Sequence, residues 1–268
     1  MSKIEDLRTY GSDQESYTVQ TAEELSGLID ELHNTGCVKG VGFDVFGTAL
    51  TSLYTRLQQT DFLSRKIYDY LKSQGDTSIT VDDCLGQYNE LRESIKNGRV
   101  QSDADIPTKQ QELPESQVLK AFGERRSLKN VNGFVEYVQN QWLQFDLQNT
   151  QPIPGMLDIV TKSVVVFGKA HVGFYTNNSC SKHHLQSLLQ GNGYLSDTRV
   201  SSENVCISSE FGLKKYGYGL RKPNVLAFKD FSTQLGLEPN DVAFIGDGGN
   251  DVLFATGSGG VGIKLFQL

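Results

Sequence analysis

The order of strand-like and helix-like segments constrains this chain more than any other feature. From Pro152 onward short β-branched runs alternate with amphipathic ones. Residues 156–167 have helical spacing, 171–176 read as a strand, 181–190 as a helix and 205–208 as a strand. Residues 223–235 read as a helix with Pro in its first turn, and 242–246 and 261–266 as two more strands. Such alternation needs crossover connections and gives a parallel sheet covered on both faces. One more strand, residues 38–45, stands apart from this series and runs into the turn Phe46-Gly47-Thr48.

Before that strand, Thr21 caps a helix that carries Glu23 and Glu24 in its first turn. Leu25, Leu28, Ile29 and Leu32 form its apolar face, and Gly36 ends it. Residues 1–20 are polar and read as irregular. After the turn the character becomes helical. Leu53, Leu57, Leu63, Ile67 and Leu71 suggest one stripe. Thr80 caps a second helix, with Asp82 and Asp83 in its first turn and Leu85, Tyr88 and Leu91 behind. Phe134, Val138, Trp142 and Phe145 mark another, while residues 98–117, with Pro107 and Pro114, read as a long exposed loop. The α/β part is therefore split. Its first strand precedes a helical block of roughly a hundred residues, which is domain-sized, and the remainder follows.

The chain has 268 residues and a formal net charge of -7. That sign works against the counterion release that drives nucleic-acid binding and against anionic membranes. An anionic substrate must be held by local donors. Apolar runs such as 164–167 are far shorter than the ~20 residues of a membrane span, and residues 1–10 lack the apolar core of a secretory signal. Cys37, Cys84, Cys180 and Cys206 are scattered, with no Cys-x-x-Cys pair, so free thiols and a reducing cytoplasm are expected.

Four polar clusters fall at the carboxyl ends of strands, where open α/β sheets carry their sites. Asp44, ahead of a Gly turn, is placed to act as a nucleophile. Thr176-Asn177-Asn178-Ser179 precedes a helix, whose N-terminal N–H groups favour an anion. Lys222, before Pro223, brings an ammonium to the sheet edge. Asp247 and Asp251 flank a Gly turn and offer hard oxygen ligands that suit Mg²⁺. Each cluster also has an ordinary reading: a turn cap, a capped helix, a surface Lys, a tight turn.

As an ordered series the four clusters resemble the motifs of the haloacid dehalogenase superfamily. Pro154-Gly155-Met156 and Ser208-Ser209-Glu210-Phe211-Gly212 resemble its lead-ins to the second and third motifs. The likeness covers residues 38–48 and from 152 onward. It implies a three-layer, Rossmann-like α/β core, residues 1–51 and 151–268, with an inserted helical cap, residues 52–150. It implies in-line transfer of a phosphoryl group to Asp44 and hydrolysis of the aspartyl-phosphate by water. Thr176 would bond a phosphoryl oxygen and Lys222 would stabilise the charge. Mg²⁺ would be held by Asp44, the backbone carbonyl of Phe46, Asp247 and Asp251. Asn177, Gly47 and Thr48 are the expected substrate contacts, and the substrate a small phosphorylated metabolite.

One position departs from that pattern. Phosphatases of this family usually carry an Asp two residues after the nucleophile, as general acid, and Phe46 cannot donate a proton. The substrate's leaving group could need little protonation, or His183, His184 or a cap residue could supply the proton. Alternatively the chemistry is that of the 2-haloacid dehalogenases, in which an aromatic residue often stands at this place and no metal is needed. Those enzymes usually lack the Asp247/Asp251 pair, and their halide-binding Arg has no clear counterpart here, Arg56 being the one candidate for it. A binding protein with weak turnover is a third reading. Two segments carry no motif of their own. Gly257-Ser258-Gly259-Gly260-Val261-Gly262 spells a dinucleotide-binding pattern but leads into a strand rather than a helix. Residues 212–219, with Lys214 and Lys215, read as an extra loop.

Overall fold

The computed structural model describes residues 18–76, 78–99, 110–213 and 218–266. In chain order the elements are β1 (Thr18–Val19), α1 (Ala22–Asn34), β2 (Gly40–Phe43) and β3 (Leu50–Ser52). The helical block follows, with α2 (Arg56–Ser73), α3 (Val81–Arg99), β4 (Gln111–Glu112), α4 (Glu115–Arg125) and α5 (Val131–Asn149). Then come β5 (Thr150–Pro152), α6 (Met156–Phe167), β6 (Val172–Thr176), α7 (Lys182–Gly191), β7 (Val205–Ile207) and β8 (Gly219–Leu220). The series closes with α8 (Val225–Gln234), β9 (Val242–Gly246), α9 (Gly249–Thr256) and β10 (Val261–Leu265).

Six strands form one parallel sheet in the order β1-β10-β9-β2-β6-β7. β2 lies in the middle, between β9 and β6, although about 130 residues separate it from β6 along the chain. Side chains on each strand alternate between two cores. Phe43, Phe174, Ala243 and Ile245 face the cluster that takes in α1, α6 and α7. Tyr175, Val242 and Phe244 face the cluster that takes in α8 and the end of α9. The result is the expected three-layer α/β core of Rossmann-like kind.

The local signals explain most elements. The Thr21 hydroxyl accepts from the Glu24 N–H at 3.1 Å and starts α1. Thr80 does the same for Asp83 at the start of α3, and Ser181 for His184 at the start of α7. The helical block has its own apolar cluster, built on Ile67, Leu71, Tyr88, Leu119, Phe122, Phe134 and Val138. Trp142 on α5 instead packs into the core cluster. Gly257 to Gly260 form the turn into β10, as the sequence suggests. All four cysteines are free. Among the described residues no helix is long and apolar enough to cross a membrane.

Several expectations need correction. Leu53 and Leu57 are not part of a buried stripe: they are 58% and 81% exposed, because α2 starts only at Arg56 and turns Ile67 and Leu71 inward. Residues 98–117 are not one loop. α3 runs to Arg99, β4 pairs with β8, and α4 begins at Glu115 behind Pro114. Pro223 is not in the first turn of α8, which starts at Val225 with Asn224 as its cap. Lys214 and Lys215 lie outside the described residues, as do residues 1–17.

Candidate active site

β2, β6, β9 and the short β8 end at one edge of the molecule, and the four polar clusters meet there. Asp44 follows β2 directly, and its N–H continues the ladder to Ile245 O at 2.8 Å. Its carboxylate is 6% exposed. Lys222 follows β8 and is 4% exposed. Its ammonium donates to Asp44 Oδ1 at 2.6 Å and to Asp251 Oδ1. The ring of Phe244 lies beneath it, 5.1 Å from Nζ. Asp251 stands in the first turn of α9, where its other oxygen accepts from the Gly248 N–H at 2.9 Å. Asp247 follows β9 and is exposed. One carboxylate oxygen from each of Asp44, Asp247 and Asp251 lies within 4.8 Å of the others.

Three carboxylates therefore crowd one ammonium. Burial pushes the carboxyl of Asp44 up to about 7; Lys222 pulls it down, while Asp251 and Asp247 push it higher. Burial and Asp251 also hold Asp247 above the usual carboxylate range. Burial opposes the charge on Lys222, but Asp44 and Asp251 outweigh it and hold the ammonium above its ordinary value.

The turn after Asp44 is tight: Ala49 and Leu50 N–H both donate to Val45 O. Gly47 has φ +86°, and a Cβ there would collide with the Asp247 carboxylate. Phe46 packs its ring against the core cluster. Thr176 closes β6 and is buried, and its hydroxyl makes no hydrogen bond among the described residues. The Thr48 hydroxyl is buried without a partner.

Asn177, directly after Thr176, reaches the loop that carries Lys222. Its amide accepts from Lys222 N–H at 2.8 Å and donates to Lys222 O at 3.3 Å. The side chain thus fixes the main chain of Lys222. The two histidines are elsewhere. His184 is buried against Asp146, 2.8 Å away, and Trp142. His183 lines a separate groove between α4, α5 and α7.

Beside the cluster lies a cavity of about 290 Å³ between the helical block and the core. Asn177, Asn178 and Ser179 form its core side, and Arg56, Arg92 and Glu115 are on the block side. Glu115 ties the two together. Its N–H donates to Ser179 O at 2.8 Å, and its carboxylate accepts from Ser179 Oγ, Arg92 and the Tyr88 hydroxyl. No sequence motif marks Glu115, Arg92 or Arg221; only their convergence in space does.

Solved structures to which this chain is similar include hydrolases of the haloacid dehalogenase type. One is a haloacid dehalogenase-like hydrolase from Bacteroides fragilis, 15% identical, covering 85% of this chain and 87% of that one, with a TM-score of 0.44. A phosphatase of this superfamily from Thermococcus onnurineus is 18% identical over 85% and 86%, with a TM-score of 0.45. A defluorinating L-2-haloacid dehalogenase is 16% identical over 86% and 82%, also at 0.45. No protein-family model and no curated protein matches the chain.

Proposed function

We propose that the protein is a Mg²⁺-dependent phosphohydrolase of the haloacid dehalogenase superfamily that acts on a small phosphorylated metabolite through Asp44. Residues 1–51 and 151–268 would be its core and 52–150 its cap. The charge count carries this reading. One ammonium, Lys222, serves Asp44 and Asp251, and Asp247 stands close by. The three carboxylates carry two more negative charges than Lys222 neutralises, and their donors are all oxygen. Such a set fits Mg²⁺. Asp44, Asp247, Asp251 and the main-chain carbonyl of Phe46 would hold it, and when bound it supplies positive charge at the phosphoryl oxygens.

The residues then divide the work. A carboxylate oxygen of Asp44 attacks phosphorus while the bond to the leaving oxygen breaks in line, giving an aspartyl-phosphate and an alkoxide or phenoxide. That anion takes a proton from water, since Phe46 has none to give. The hydroxide left behind takes a proton from a second water as that water's oxygen attacks phosphorus and the bond to Asp44 breaks, restoring the carboxylate and releasing phosphate. Thr176 donates its unpartnered hydroxyl to a phosphoryl oxygen. Lys222 stays charged and offsets the negative charge of Asp44 and substrate. Positioning and electrostatics supply the rate.

Phe46 favours a second reading, a metal-independent 2-haloacid dehalogenase, because it occupies the position two after Asp44 and its side chain has no proton to give. A release assay on the purified protein separates the two. It compares an aryl phosphate, an alkyl phosphate and a 2-haloacid, with and without Mg²⁺, with Asp44→Asn as control. We expect Mg²⁺-dependent phosphate release, faster for the aryl ester, and none from Asp44→Asn. Halide release without metal would replace this reading with the second.

A further inference from the structure

The cavity beside the cluster has a charge pattern of its own. Arg56, Arg92 and Arg221 line it together with Glu112 and Glu115. Arg221 Nε lies 3.2 Å from Glu112, and Arg92 Nη1 lies 3.1 Å from Glu115. Both glutamates are buried. They hold two guanidinium groups in fixed positions. Arg56 is different: among the described residues it has no carboxylate partner. Three guanidinium groups against two carboxylates leave the cavity with a positive charge, on a chain whose net charge is -7.

Arg56 is also badly placed for helix stability. It is the first residue of α2, where the positive end of the helix dipole disfavours a cation. A bound anion would remove that conflict. A second cavity, of about 240 Å³, shares Arg56, Arg92, Glu112 and Arg221 with the first. Arg221 directly precedes Lys222, and Asn177 both lines the cavity and grips the Lys222 main chain. The cavity lining thus includes the chain neighbours of two cluster residues, Asn177 after Thr176 and Arg221 before Lys222. At about 290 Å³ the space is at the small end for ligand pockets.

We propose that this cavity recognises a second oxyanion, a carboxylate or a second phosphoryl group, on a short substrate, with Arg56 as its free guanidinium partner. This rests on the reading of Asp44 as the phosphoryl site. Guanidinium forks match both kinds of oxyanion, and Arg92 and Arg221 are held ready on either side.

The test is calorimetric binding to the full chain in Mg²⁺, with probes that cannot be hydrolysed. They are propylphosphonate, 3-phosphonopropanoate and ethane-1,2-diphosphonate. At least one doubly anionic probe should bind about 10- to 100-fold more tightly than propylphosphonate, and which one does so identifies the second group. Arg56→Ala should lose most of that preference, and Arg56→Lys should keep part of it, because charge remains and the fork does not. Thermal melts of both variants no lower than that of the wild type would show intact folds. Equal binding of the three probes, or a preference that survives Arg56→Ala, would overturn the proposal. If no phosphonate binds, the phosphoryl reading has failed instead. The cavity is then tested with 2-chloropropanoate: loss of binding in Arg56→Ala supports it, and retention overturns it.

Discussion

Lys222 is held from two directions, by carboxylates at its ammonium and by the Asn177 amide at its main chain. Each hold can be tested. Lys222→Met leaves Asp44 and Asp251 buried without their cation, which should cost about 3–5 kcal/mol of stability, read as a lower melting temperature. The same variant should lose phosphate release. Asn177→Ala keeps every charge but frees the Lys222 backbone. Its kcat should fall about 10- to 100-fold, the range for groups that orient a metal site from outside, with little change in KM. Gly47→Ala adds strain at φ +86° and pushes on Asp247. It should weaken Mg²⁺ binding in a titration followed by activity, while Gly36→Ala, in open space at φ +66°, should affect stability alone. These contrasts explain what could be read from the chain beforehand. Asp44, Thr176, Asp247 and Asp251 stand at the ends of strands or just beyond them, so their convergence follows from the parallel topology. The work of Asn177 does not, because it depends on where another loop's backbone lies.

At the scale of elements, Glu115 joins the first turn of α4 to the loop after β6. Burial pushes its carboxyl from an ordinary 4.5 up to about 7, and the Ser179 hydroxyl opposes this. Arg92, 3.1 Å away, also favours the ionised form. The folded chain thus keeps a proton that the unfolded chain has released between about pH 4.5 and 7. Stability should fall as pH rises through that window, by at most ~3 kcal/mol for this group. Glu115→Gln should flatten that part of the profile in chemical denaturation measured from pH 4.5 to 7.5. α4 itself escaped the sequence reading for a physical reason. Its buried Val118, Leu119 and Phe122 make one short patch behind a polar, Pro-containing stretch, and Pro114 offers no side-chain cap. β3, β4, β5 and β8 were equally invisible, since two or three residues cannot display a period. The long core elements, such as α6 and β9, match their expected bounds because each carries a full apolar pattern between clear breakers.

For the whole molecule, the proposal of a bound dication has a thermodynamic consequence. A ligand that binds only the folded state raises stability by RT ln(1 + [L]/Kd), about 2.7 kcal/mol at a hundredfold excess over Kd. Mg²⁺ should therefore raise the melting temperature of the wild-type chain, and Asp247→Asn should remove most of the rise. A melting temperature indifferent to Mg²⁺ would count against the metal site. The architecture also bears on ancestry. β3 and β5 run antiparallel, with Leu50 opposite Pro152 and Ser52 opposite Thr150. The chain enters and leaves the helical block through two strands one strand spacing apart, about 4.8 Å. β3 and β5 can stay paired while the helices between them change, provided the ties of β4 to β8 and of Glu115 to Ser179 are kept or replaced. Selection can then revise what enters the cavity while leaving the reacting groups untouched.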